Sequence, residues 1–149
     1  MKEIIPDIFP KDQANKLVDF ENDEMKLALL NGTYDECTLK NAISFDQFAS
    51  NEAPALYGYP LGGFPVGGKT VTVDSDDHSV VYNINDVGMT VAGGTFGPVR
   101  YGMIYNISNS NRVVYIFDFE EDKTVNDGAQ FKIKIDDRGL MKAKPLTSN

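Results

Sequence analysis

The sequence predicts a mainly β protein, folded as an antiparallel β-sandwich or a jelly-roll-like domain. Several short segments alternate apolar and polar residues, turn signals separate them at close spacing, and few segments have a helical period. Hydrophobic residues make up 42% of the 149 residues and charged residues 24%, as in an ordinary globular protein. A chain of this length buries a core as one domain without disulfides or a metal.

Residues 1–20 are predicted to form an N-terminal arm with a short helix, ahead of a single β-sandwich domain over residues 21–149. The first ten residues combine apolar side chains with two prolines, and Ala14, Leu17 and Val18 then follow at helical spacing. Exposed apolar side chains usually mark contacts, so the arm either packs on its own domain or reaches onto another subunit. Its candidate partner-binding residues are Ile4, Ile5, Ile8 and Phe9.

The first strand of the domain is predicted at Met25–Leu30, where Asn31-Gly32 stops it. Residues 44–47 could open one helical turn. Further strands follow wherever period-2 alternation lies between turn residues. They are predicted at residues 69–74, 79–84, 89–95, 99–107, 112–119, 131–135 and 140–144.

Two of these strands carry the clearest patterns. Residues 112–119 are apolar on both faces, which is typical of a central strand. Residues 99–107 alternate large apolar groups with other residues, so one face of that strand is predicted to be apolar. The residues assigned to this face are Val99, Tyr101, Met103, Tyr105 and Ile107.

Residues 58–68 are rich in glycine, proline and aromatic residues and are predicted to form an ordered loop. Its aromatic side chains and the one just before it have two interpretations. They either cover one end of the core or form a surface that stacks on a sugar ring or anchors a neighbouring subunit. The side chains concerned are Tyr57, Tyr59 and Phe64.

Residues 63–70 match the phosphate-binding pattern G-x-x-x-x-G-K-[ST]. That loop needs a buried strand before it and a helix after it, so that backbone N–H groups point at the phosphates. Here a β-branched, alternating segment follows Lys69, and Pro65 removes one of the amides. The match is therefore interpreted as coincidental.

The remaining reactive residue types form no recognisable catalytic or metal-binding pattern. His78 is the only histidine and lies in a turn, and the single cysteine, Cys37, cannot form an internal disulfide. The acidic clusters in residues 74–77 and 118–122 lack the spacing of a calcium loop and are predicted to be charged turns. The expectation is a protein that is not an enzyme and has no metal or cofactor.

The charge balance disfavours nucleic acid and anionic membranes as partners. Fourteen basic and twenty-two acidic residues give a net charge of −8, and the basic residues are scattered singly. No segment approaches the roughly 18 apolar residues of a membrane span, and the N-terminus lacks the features of a signal peptide. With no disulfide framework, assembly in a reducing cytoplasm is expected.

Eight segments carry a resemblance to known proteins: Met25–Leu30, 45–48, 69–74, 84–87, 99–105, 115–119, 128–133 and 139–140. Their order over residues 20–143 resembles that in a family of small structural proteins from tailed-bacteriophage virions. That family tends to continue with Thr-Trp after an Asp-Val pair, whereas this chain has Gly88-Met89. Relative to the family, the N-terminal arm of this chain looks added.

The resemblance implies a non-enzymatic virion structural protein with no catalytic residues to carry over. The leading hypothesis is an auxiliary (decoration) protein on the capsid exterior; a head-fibre, neck or tail component is the alternative. Its partners would be the major capsid protein, other virion proteins or copies of itself, with assembly in the bacterial host cytoplasm. From a different class, a glycan-binding module would use the aromatic side chains around residues 58–68.

Overall fold

The computed structural model describes residues 1–143 and confirms a mainly β, antiparallel fold, with 40% strand and 13% helix. Residue 144 of the predicted last strand lies outside the described residues. Two 3₁₀ turns, Phe45–Gln47 and Ala49–Asn51, accompany the regular elements. In chain order these are β1 (Lys2–Ile4), α1 (Ile8–Ala14), β2 (Met25–Leu30), α2 (Glu36–Lys40), β3 (Phe64–Pro65), β4 (Thr70–Val73), β5 (Val80–Asn83), β6 (Val87–Thr90), β7 (Phe96–Asn106), β8 (Arg112–Val125), β9 (Gln130–Ile133) and β10 (Met141–Ala143).

The strands form three sheets in which every pairing between strands is antiparallel. A five-stranded central sheet has the order β1-β8-β7-β2-β3. A three-stranded sheet, β10-β5-β4, and a two-stranded sheet, β6-β9, contribute apolar side chains to a common core with one face of the central sheet. The arrangement is sandwich-like, with the second layer divided in two.

The middle of the central sheet is buried on both faces, which explains the long apolar runs in β2, β7 and β8. In β2, Leu27 and Leu29 enter the main core beneath the smaller sheets, whereas Ala28 and Leu30 enter a second core on the opposite face. The second core is completed by α2 and the turns that follow it, through Leu39, Ala42, Phe45 and Phe48. A strand covered on both faces carries apolar residues at consecutive positions because neither face meets water.

Residues 1–20 are packed into both cores of this sandwich. β1 pairs with β8, with Ile4 opposite Ile116, and places Ile4 in the second core. The helix begins at Ile8 and ends at Ala14, earlier than the spacing predicts, and Phe9 enters the main core. The segment therefore continues the fold rather than extending from it as a free arm.

The strand at residues 99–107 departs from its predicted one-faced pattern. Tyr101, Met103 and Tyr105 share the second core as expected, but Val99 belongs to the main core and Ile107 is 37% exposed beyond the strand. The register between β7 and β8 shifts between Val99 and Tyr101, because extra residues of β8 bulge out there.

The bulge also explains why β8 is longer than predicted. The sequence predicts that the strand stops at residue 119 and that a charged turn follows. Instead, Glu120 adopts a left-handed backbone with φ 67°, and the strand continues to Val125. The acidic residues 120–122 thus lie in a bulged strand.

The predicted helical turn at residues 44–47 is confirmed as the 3₁₀ turn Phe45–Gln47. The Ser44 hydroxyl accepts a hydrogen bond from the Asp46 N–H at 3.2 Å, and the Gln47 side chain accepts one from the Ser44 N–H at 3.0 Å. This reciprocal cap satisfies N–H groups that a short turn leaves open. Among the described residues, none of the helices is long and apolar enough to cross a membrane.

Candidate partner-binding surface

The loop between the second 3₁₀ turn and β3 is anchored by Tyr59, whose side chain points into the protein. Tyr59 is 3% exposed, and its ring lies in the main core against Phe64 and Phe96, with centroid distances of 5.5 and 5.6 Å. Its hydroxyl donates to Glu52 Oε2 at 2.6 Å and accepts from the Leu29 N–H at 3.0 Å. The middle of the loop is therefore tied to β2.

Glu52 and Tyr105 fix the far end of the same loop. Glu52 Oε2 also accepts from the Gly62 N–H at 2.9 Å, and the Tyr105 hydroxyl donates to the Gly62 carbonyl at 2.5 Å. Burial, with the Glu52 hydrogen bond, raises the pKa of Tyr59 far above its ordinary value. Burial and the charges of Glu52 and Asp46 raise the pKa of Tyr105 to about 12. Both phenols therefore stay protonated and keep donating near neutral pH.

Tyr57 is half-buried and packs against a glycine turn. A Cβ added at Gly94 would lie 2.5 Å from Tyr57 Cε1, so only glycine permits this approach of backbone and ring. The carbonyl of Tyr57 accepts from the Ala92 N–H at 3.1 Å. Tyr57 thus holds the loop against the segment before β7.

With its aromatic side chains turned inward, the loop exposes aliphatic residues. Leu56 is 49% exposed and Leu61 is 76% exposed, and Pro54 and Pro60 beside them are exposed as well. We call these four residues the apolar loop surface. Sequence reasoning missed both leucines; their signal is an aliphatic residue within a Gly- and Pro-rich loop that lacks the alternation of a strand.

The seven residues predicted to bind a partner differ in how deeply they are buried. Tyr57 and Ile8 are half-buried, and Ile5 is 42% exposed. Ile5 lines a small cavity of about 150 Å³ with residues of β5 and β10, so it does not join the apolar loop surface. The other four are core side chains that stabilise the fold and offer no surface to a partner: Ile4, Phe9, Tyr59 and Phe64.

The match to a phosphate-binding loop does not have the required geometry. Within residues 63–70, β3 pairs with β2, and β4 begins at Thr70, so a strand follows the pattern where a helix is needed. Gly63 serves backbone packing, because a Cβ there would lie 2.4 Å from the Leu27 carbonyl oxygen. Gly63 thus has a structural cause.

Two carboxylates of the acidic cluster in residues 74–77 pair with Lys142 of β10. Lys142 Nζ lies 3.0 Å from a carboxylate oxygen of both Asp74 and Asp77. Hydrogen bonds from the Asp76 N–H and from Ser79 lower the pKa of Asp74 and Asp77 respectively, and Lys142 adds to both effects. Within residues 1–143, no group of three or more His, Cys, Asp or Glu side chains is placed to hold a metal ion.

Comparison with known proteins gives no relative for this chain. No protein-family model matches it, and neither a curated protein nor a solved structure matches it. A function must therefore be proposed from the fold, the surfaces described above and the order of sequence segments.

Proposed function

We propose that this chain is a non-enzymatic structural protein of a tailed-bacteriophage virion, and that it is an auxiliary (decoration) protein bound to the capsid exterior. The order of segments over residues 20–143, which resembles that of small virion proteins, carries the proposal. The mainly β, antiparallel fold is compatible with it. The protein would assemble onto the particle in the bacterial host cytoplasm.

The apolar loop surface supports a role in binding another protein. Leu56 and Leu61 are exposed on a loop that Tyr59, Glu52 and Tyr105 hold in place, so little conformational freedom is lost when a partner covers them. A subunit that binds only the assembled shell stabilises that shell by mass action. Many copies of a small rigid domain suit this task.

The pKa shifts of the titratable groups near these surfaces have structural causes. Tyr59 and Tyr105 have raised pKa values because they are buried and lie near Glu52. Asp74 and Asp77 have lowered pKa values because they accept hydrogen bonds and pair with Lys142. Each of these shifts follows from burial, a hydrogen bond or an ion pair within the fold, and none of them by itself indicates a catalytic group.

The experiment that tests the proposal is quantitative mass spectrometry of purified particles, with the wild-type chain and two double variants. Leu56→Ser with Leu61→Ser removes the apolar loop surface. Ile43→Ser with Ile107→Ser is the matched control, since these two residues are 42% and 37% exposed elsewhere. We expect many copies per particle for the wild type and the control, and a large loss for the loop variant.

Other outcomes would redirect the proposal. A few copies per particle would assign the chain to a head fibre, the neck or the tail. Complete absence from particles would overturn the virion proposal and make a glycan array the next test. The glycan-binding alternative has lost most of its stacking platform, because Tyr59 and Phe64 are buried and Tyr57 is half-buried.

A further inference from the structure

A groove of about 450 Å³ lies between β8 and β9, which are consecutive in the chain but belong to different sheets. β8 pairs with β1 only as far as Asp118, so residues 119–125 have a free edge on that side. β9 pairs with β6, and within residues 1–143 no strand pairs with its other edge. Residues of both β8 and β9 line the groove.

The hydrogen bonds of β9 show which of its backbone groups face this free edge. The Val91 N–H donates to the Ala129 carbonyl at 2.8 Å, at the end of the β6–β9 ladder. In an antiparallel ladder successive residues turn their N–H and C=O groups to opposite sides. The backbone N–H and C=O groups of Phe131 therefore point toward β6, and those of Gln130 and Lys132 point away from it. An added strand would satisfy those groups.

The floor of the groove is apolar. The rings of Phe119 and Phe131 meet edge to face across it, with centroids 6.0 Å apart. Ile133 lies beside them, and all three side chains belong to the main core. Side chains at alternate positions of an added strand would cover this floor, and those between would point to solvent.

The rim of the groove is basic, although the chain carries twenty-two acidic and fourteen basic residues. Lys123 from β8 and Lys132 and Lys134 from the β9 segment line it, and among residues 1–143 no acidic side chain does. Lys123 contacts Glu121 at 2.6 Å and Lys132 contacts Asp86 at 3.6 Å. Exposed ion pairs of this kind contribute little, so a partner's carboxylates can replace them.

We propose that this groove binds an extended, acidic segment of a partner protein, which adds to the free edge of β9 as a strand. Its alternate apolar side chains contact Phe119, Phe131 and Ile133, and its carboxylates pair with the lysines of the rim. This surface is separate from the apolar loop surface, and the inference does not depend on the virion assignment.

The test uses fluorescein-labelled synthetic peptides of about eight residues, within the usual length of a strand. In the first peptide Glu and Val alternate; the second has Lys in place of Glu; the third keeps the Glu residues but has Pro at two central Val positions. Fluorescence anisotropy measures their binding to the full chain. We expect saturable binding of the first peptide and much weaker binding of the other two.

Two triple variants locate the binding. Lys123→Glu, Lys132→Glu and Lys134→Glu together should weaken it by about tenfold or more, because three favourable charge pairs become repulsive. The matched control is Lys11→Glu, Lys16→Glu and Lys40→Glu, at exposed lysines that do not line the groove, and it should bind like the wild type.

Three results would overturn the inference. The first is no saturable binding of the Glu–Val peptide. The second is equal weakening by the two triple variants, which would place the peptide elsewhere. The third is equal binding of the proline-containing peptide, which would show attraction by charge without strand addition.

Discussion

Asp12 is a charged side chain in the interior of the protein and owes its stability there to Arg112. It is 1% exposed and accepts two hydrogen bonds from the guanidinium, from Nε at 2.8 Å and from Nη2 at 2.6 Å. The pair joins α1 to the first residue of β8. A buried carboxylate without such a partner would be strongly unfavourable.

We expect Asp12→Ala to lower the free energy of unfolding by about 3 kcal/mol, because it leaves the Arg112 guanidinium without its partner. Urea unfolding followed by circular dichroism measures the change. Glu121→Ala is the matched control: it breaks a pair of equal length, 2.6 Å to Lys123, that is exposed. A loss in the control as large as that for Asp12→Ala would contradict the argument from burial.

At the scale of single residues, the sequence predicted the importance of the aromatic side chains better than their location. Tyr59 was a candidate for either core or surface, and the sequence could not decide between them. Its position depends on Glu52 and on the Leu29 N–H, which the fold brings to its hydroxyl. Such contacts between distant residues leave no local pattern.

At the scale of elements, β1 shows how neighbouring residues of one strand differ in role. Ile4 is 3% exposed in the second core, and Ile5, just after the strand, is 42% exposed. The strand pairs with β8 and so lies at the edge of the central sheet.

Ile4→Ala is expected to destabilise the protein by about 3 kcal/mol, since it opens a cavity among well-packed side chains. Ile5→Ala should leave the unfolding midpoint nearly unchanged. Thermal unfolding of the two variants side by side measures the difference. A destabilisation by Ile5→Ala as large as that by Ile4→Ala would contradict the placement of Ile4, and not Ile5, in the core.

Elements were predictable where a local signal marks both ends. β2 has the predicted bounds, Met25–Leu30, because an apolar run ends at Asn31-Gly32, and the 3₁₀ turn at Phe45 follows from the cap that Ser44 provides. The length of β8 could not be predicted, since its acidic residues read as a turn. Pairing with β7, which resumes at Lys123 opposite Val99, keeps the strand extended past the bulge.

At the scale of the whole molecule, the pKa values of buried tyrosines make stability dependent on alkaline pH. Burial raises the pKa of Tyr105 to about 12, and burial raises the pKa values of Tyr59 and Tyr115 further. A group that holds its proton more tightly when folded stabilises the protein fully below its unfolded pKa of about 10. That contribution is lost as the pH rises through the folded pKa.

The free energy of unfolding should therefore fall between about pH 10 and about pH 12, as ionisation begins to favour the unfolded chain. Urea titrations across this range measure it, and absorbance at 295 nm follows tyrosinate formation. Tyr105→Phe should reduce the slope. Ionisation of all seven tyrosines near pH 10 in the folded state would contradict the prediction.

The antiparallel β fold was predictable from period-2 alternation, whereas the covering of the central sheet was not. α2 was not predicted, and Leu39 and Ala42 lie in a stretch without clear periodicity. Both residues are buried because β2 and β7 present a second apolar face against which they pack. The apolar residues of these strands indicate that face, but no sequence pattern indicates which segment covers it.

The two cores on opposite faces of the central sheet have a consequence for how the molecule unfolds. β2, β7 and β8 supply side chains to both cores, so the unfolding of these strands disrupts both cores at once. Unfolding should accordingly occur as a single cooperative transition, with no stable half-folded form. A protein of this design unfolds completely or not at all, and leaves few partly opened chains for proteases to attack.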